Sequence, residues 1–161
     1  METGAFEIVD KGGAVQMQGM LSDGKLEGLL QIRQDGAPQA AMRFADGVQQ
    51  GECVILHAPH RPSARLFFVD GQLDGPAEFY SLQGVTVRKT HYRRGLVHGL
   101  QQDFYADGTL FEETRYVRGL PDGLWRRFHT GGGLAERRSY SAGVMTGAPE
   151  RFDERGRPVK G

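Results

Sequence analysis

The side chains able to do chemistry are few and scattered. The five histidines are His57, His60, His91, His98 and His129, and none stands in a Cys/His pattern with zinc spacing. His57 and His60, three apart in the proline-containing stretch 57–63, come nearest to a metal pair, and no metal is expected there. The single cysteine, Cys53, lies beside Val54, Ile55 and Leu56 with no base close in sequence. It reads as a small buried apolar residue, and no intramolecular disulfide can form. No Gly-x-Ser-x-Gly elbow occurs. Gly131-Gly132-Gly133 lacks the following Lys-Ser/Thr and helix of a phosphate loop. Neighbouring carboxylates such as Glu112 and Glu113 would point to opposite faces of a strand and read as solvated charges. No catalytic residue, metal or cofactor site is expected, and the chain is not expected to be an enzyme.

The basic pairs stand out more. Arg93-Arg94, Arg126-Arg127 and Arg137-Arg138 lie close to Trp125, Tyr92, Tyr116 and Tyr140. One member of each pair is expected to face the same way, giving an arginine column around a central Trp125. Arginine with tryptophan and tyrosine is the mix of interface hot spots. The guanidinium fork favours carboxylates, so the expected partner is a protein with an acidic surface. The competing reading has these arginines solubilising a sheet and covering its rings with their stems, with Trp125 in the core. Reversing Arg126 and Arg137 to glutamate is expected to weaken partner binding and leave the melting temperature nearly unaltered.

What must position these residues is a repeat. The motif aromatic-x-x-Gly-x-x-x-Gly runs through Tyr92, Gly95 and Gly99, and again through Tyr116, Gly119 and Gly123. It recurs at Tyr140, Gly143 and Gly147, and earlier at Phe68, Gly71 and Gly75 and at Phe44, Gly47 and Gly51. Taking the second glycine as marker gives repeats 4–27, 28–50, 51–74, 75–98, 99–122 and 123–146, with a half repeat 147–161. A fixed period of this size marks a stacked array, here a single repeat domain over 1–161. Each repeat reads as two strands, such as Leu100 to Tyr105 and Thr109 to Val117, or Leu124 to Phe128 and Leu134 to Tyr140. Asp-Gly at 23–24, 35–36, 46–47, 70–71, 74–75, 107–108 and 122–123 supplies turns. No segment carries a capped 3.6-residue apolar pattern, so no helix is expected. The fold class is all-β, an elongated array of antiparallel hairpins. Two columns, Phe44-Phe68-Tyr92-Tyr116-Tyr140 and Leu56-Tyr80-Phe104-Phe128-Phe152, are expected to stack from repeat to repeat, with the glycines letting rings approach the backbone. The turn His57 to Ser63 departs from the pattern.

The best copy is Tyr116-Val117-Arg118-Gly119-Leu120-Pro121-Asp122-Gly123-Leu124-Trp125-Arg126-Arg127-Phe128, followed by Gly132 and Leu134. It resembles the MORN repeat in its bacterial variant, the YwqK-type antitoxin family. The resemblance is strong from 68 to 156 and weak before 44. It implies a non-catalytic protein-binding module, an immunity or accessory factor for a toxin or secreted effector. It also implies an alternative, a phospholipid-binding or assembly scaffold. The family offers no catalytic residue to carry over.

Charge and composition exclude other classes. The 20 basic and 20 acidic side chains cancel, which removes the electrostatic case for nucleic acid. The distribution is uneven: residues 1–80 hold 6 basic and 11 acidic, 6 − 11 = −5, and residues 81–161 hold 14 and 9, 14 − 9 = +5. The start Met1-Glu2-Thr3-Gly4 lacks a basic and apolar leader, no apolar run reaches membrane-span length, and the expected compartment is the cytoplasm. Self-association, if any, is expected through the unprotected N-terminal strand at Ala5 to Val9.

Overall fold

A computed structural model describes residues 1–159. The chain is all-β and antiparallel, and no helix occurs among the described residues. It divides into two compact units, Met1–Ala77 and Glu78–Gly161. The first holds β1 (Gly4–Val9), β2 (Val15–Ser22), β3 (Lys25–Gln34), β4 (Ala37–Ala45), β5 (Val48–Ala58), β6 (Arg61–Val69) and β7 (Gln72–Leu73). β8 (Gly75–Tyr80) carries the chain across the boundary. The second unit continues with β9 (Thr86–Arg93), β10 (Leu96–Val97), β11 (Gly99–Phe104), β12 (Leu110–Val117), β13 (Leu120–Phe128), β14 (Leu134–Ser141), β15 (Val144–Phe152) and β16 (Pro158–Val159).

Within each unit the pairing is a linear meander that does not close. The first runs β1-β2-β3-β4-β5-β6, with β7 folding back on β6. The second runs β9-β11-β12-β13-β14-β15-β16, with β10 on β9. Neighbours in sequence are neighbours in the sheet, as short connections require. β1 pairs on one side only, with β2, and its Ile8 and Val9 are exposed.

Two turn types recur, alternating from 70 onward, while in the first unit Asp35-Gly36 is also a two-residue turn with positive φ at both positions. At 23–24, 46–47, 70–71, 94–95, 118–119 and 142–143 a two-residue loop has positive φ at both positions, for example Asp46 at 52° and Gly47 at 81°. This is the type I′ hairpin turn, whose twist matches that of the strands. At the other ends, 10–13, 81–84, 105–108, 129–132 and 153–156 close with an N–H of the last glycine donating to the first carbonyl, at 2.8–3.0 Å. The glycine there is left-handed and the next pair is bulged, as at Asp103/Phe104 and Arg127/Phe128. The departing turn is tighter than its prolines suggest: Ala58 pairs Arg61 across Pro59-His60.

Two expected features are corrected. Asp122-Gly123 is no turn; it lies inside β13, where residues 122–124 bulge opposite Arg115. The marker glycines do sit across from the aromatics, in the pairs Gly28↔Phe44, Gly51↔Phe68, Gly99↔Tyr116 and Gly123↔Tyr140. Yet a Cβ on Gly99 or Gly123 would meet His91 or Arg115, not a ring. Their φ values of 106° and 113° are what exclude other residues.

The columns themselves are half-buried, not a dry core. In the first unit the buried apolar residues are Leu30, Cys53 and Ala64, with Ala77 at its end. Burial also pushes the Cys53 thiol above its ordinary pKa, which suits an inert residue. In the second unit the buried positions are polar: Thr90, Glu113, Thr114 and Glu136.

Candidate functional site

The cross-strand register decides where the arginines go. β12, β13, β14 and β15 align Glu112, Arg127, Glu136 and Arg151 in one row. The adjacent row, on the opposite face, is Glu113, Arg126, Arg137 and Glu150. The double arginines of the sequence therefore split, one member to each face.

On the first face Glu136 is the hub. Its side chain is 1% exposed and is covered by arginine stems: Arg127 donates at 2.6 Å, Arg138 donates from Nε at 2.8 Å, and Arg151 lies at 3.8 Å. Burial raises the Glu136 pKa; the Arg138 hydrogen bond and the charges of Arg138, Arg127 and Arg151 outweigh it and bring the carboxyl below its ordinary value. Trp125 is half-buried beside this cluster, with the Arg138 and Arg127 guanidinium carbons 4.6 Å and 5.7 Å from its ring centroid. On the opposite face Arg126 pairs with the buried Glu113, and Arg137 pairs with Glu150 at 2.6 Å over the Phe152 ring.

The register divides the expected residues between two faces. Trp125, Arg127 and Arg138 do come together, but Arg126 and Arg137 are on the other face, and all four arginines already hold carboxylates. Glu113, expected to be a solvated charge, is buried for the same reason.

Arg93 and Arg94 belong elsewhere. They close β9 at its type I′ turn. The next turn docks on this one: Gly119 N–H donates to the Val97 carbonyl at 2.8 Å, and Gly143 repeats the bond to Pro121 at 2.9 Å. Stacked turns bring residues 24 apart side by side. Arg93, Arg94, Leu96, His98 and Arg118 line a cleft of about 270 Å³. His98 Nδ1 accepts the Arg118 N–H at 3.4 Å. Arg93 and Arg118 have no ion-pair partner among the described residues. The same stacking leaves a row of post-turn apolar side chains in solvent, with Leu96 and Leu120 each 50% and Val144 68% exposed. The sequence carries the signal for both features, Arg94 with Arg118 and Leu96 with Leu120 at the repeat offset, beside the more conspicuous arginine doublets. Among the described residues no group of three His, Cys, Asp or Glu side chains is placed to hold a metal.

No protein-family model matches the chain, and no curated protein matches it. Among solved structures it is similar to a mutant of S. aureus TarM in complex with fondaparinux, alpha-GlcNAc-glycerol and UDP. The identity is 12% and the TM-score 0.31, over 74% of this chain and 21% of that one. It is similar to TarM in a second structure at 11% identity and TM-score 0.29, over 70% and 19%. The chain thus spans about a fifth of the length of those proteins, and a likeness this loose carries no conclusion.

Proposed function

We propose that this chain is a non-catalytic protein-binding repeat module of the bacterial MORN type, acting in the cytoplasm as an antitoxin-like immunity or accessory factor for a toxin or secreted effector. One observation carries the reading of a binding module: the apolar row Leu96, Leu120 and Val144, exposed at the stacked turns and bordered by Arg93 and Arg118. Leu96 and Leu120 lie over Gly119 and Gly143 of the next turns and still leave half their area in water, and periodic apolar side chains beside guanidinium groups suit an acidic protein surface. The role toward a toxin or effector comes from the repeat resemblance, supported by the 24-residue turn lattice. No helix among the described residues is long and apolar enough to cross a membrane.

The test is co-expression of the tagged chain with the products of adjacent reading frames. A stable complex with an acidic product is expected, with an association rate that falls as salt rises. Leu96→Asp with Leu120→Asp is expected to abolish it while the circular dichroism spectrum stays that of a sheet. Unchanged binding by that folded variant would refute the surface. Sedimentation with anionic vesicles in the absence of any protein complex would favour the phospholipid-scaffold alternative.

A further inference from the structure

We propose that the outer edge of β1 accepts an antiparallel strand from a partner protein, with an arginine of that strand seated in the groove beside Glu7. This surface belongs to the first unit and is separate from the apolar row of the second. β1 is held in place as an ordinary member of the meander. Gly24 N–H donates to the Glu2 carbonyl at 2.8 Å, and Asp23 N–H donates to Thr3 Oγ1 at 3.0 Å. The first bond is the one by which Gly47 and Gly71 dock on Leu26 and Gln49. β1 pairs with β2, and among the described residues no strand pairs with its other side. Alternate residues of such a strand turn N–H and carbonyl outward and can carry a further ladder. Little protects this edge. No proline stands between Ala5 and Val9, Glu7 is the one charge there, and Ile8 and Val9 are exposed. At the end of the second unit, by contrast, β15 carries Pro149 and β16 carries Pro158.

A groove adjoins the open edge. It has a volume of about 240 Å³ and is lined by Ala5 and Glu7 of β1, Gln18 and Met20 of β2, and Leu29 and Gln31 of β3. The register sets Ala5 beside Met20 and Glu7 beside Gln18. Met20 and Leu29 are exposed, and the Gln18 amide donates to Gln31 at 2.5 Å. One carboxylate thus stands at the strand edge with apolar side chains behind it. An arginine facing Glu7 across the new ladder suits both, its guanidinium on the carboxylate and its stem on the apolar groups. Net charge favours the same occupant: residues 1–34 hold three basic and five acidic side chains, 3 − 5 = −2. On the other face the Phe6 ring and Leu30 both cover Gly19, so incoming side chains that flank Phe6 and Ile8 should be apolar. The partner segment therefore alternates, apolar toward Phe6 and Ile8 and basic toward Glu7. A second copy fits less well. The register that matches residues 5–9 with themselves sets Glu7 against Glu7.

The probe is the capped peptide Val-Thr-Val-Arg-Val-Thr-Val, titrated at constant ionic strength into the isotopically labelled full chain and followed by amide chemical shifts. Saturable shifts are expected at residues 5–9, with smaller ones at 18, 20 and 29, and a Kd of order 1 mM. Glutamate in place of the peptide's arginine is expected to weaken binding at least about tenfold. Most of that preference is expected to disappear in Glu7→Gln. The peptide N-methylated throughout cannot form the ladder and is expected not to bind. Leu96→Asp with Leu120→Asp is expected to leave peptide binding unchanged, which separates this edge from the surface of the second unit. Silent β1 amides, equal affinity of the parent for the glutamate or N-methylated peptide, or an arginine preference untouched by Glu7→Gln would overturn the proposal. So would β1 shifts that grow with protein concentration alone, which would make a second copy the occupant.

Discussion

Replacing Glu136 by glutamine keeps the shape of the side chain and removes the charge that three arginines converge on. Hydrogen bonds to charged groups contribute about 1.5–3 kcal/mol each when buried. Two such bonds reach Glu136, from Arg127 and Arg138, and Arg151 adds attraction at 3.8 Å. The sum must be discounted, because the arginine side chains are 43%, 32% and 55% exposed and regain water when released. The glutamine amide also turns donors toward guanidinium donors. A net loss of about 2–3 kcal/mol follows, a fall in Tm of roughly 5–10 °C for a domain of this size. Glu150→Gln is the control. Its pair with Arg137 is 55% and 47% exposed, so its loss should leave Tm nearly unchanged. Thermal melts at a series of pH values add a second readout. The Glu136 pKa is lowered on folding, so its contribution is fully present above the unfolded pKa and is lost as pH falls through the folded one. The gap in Tm between parent and Glu136→Gln should be widest near neutrality and should close in acid. A Glu136→Gln protein as stable as the parent at pH 7, or a gap that widens in acid, would refute the role of Glu136 as the hub.

Three further outcomes are expected. Thr90 is buried with a hydroxyl that meets no hydrogen-bond partner, so Thr90→Val should raise stability by about 1 kcal/mol in urea titrations. Ala142 occupies the first position of a type I′ turn at φ 47°, where 23, 46 and 70 hold aspartate; Ala142→Asn should stabilise by about 0.5–1 kcal/mol, read as a higher urea midpoint. Arg126→Glu with Arg137→Glu would line up four carboxylates at 113, 126, 137 and 150. Contrary to the expectation from sequence alone, it should lower Tm by several degrees, and calorimetry checks this before any binding experiment is read.

The period of 24, the glycines and the absence of helical patterning are properties of the chain itself. They determined the all-β class, the hairpin meander and most strand positions to within a few residues, because turn chemistry is local: left-handed backbone needs glycine or a small polar residue wherever it occurs. The array of antiparallel hairpins could therefore be read from the letters, as could the burial of Cys53 among its apolar neighbours. The bulge at Asp122-Gly123 could not, because the same dipeptide serves a turn or a strand bulge according to what pairs across from it. Nor could the fate of the arginines. Arg126-Arg127 and Arg137-Arg138 look like one surface in sequence, but register alternates their faces and sets Glu113, Glu136 and Glu150 opposite them, so their charge is spent inside the sheet. In sequence Arg93 belongs with the other doublets and Arg118 stands alone, but stacking of two turns places both on one cleft. Which charges cancel and which remain open depends on pairing between strands, and only the tertiary structure sets that pairing.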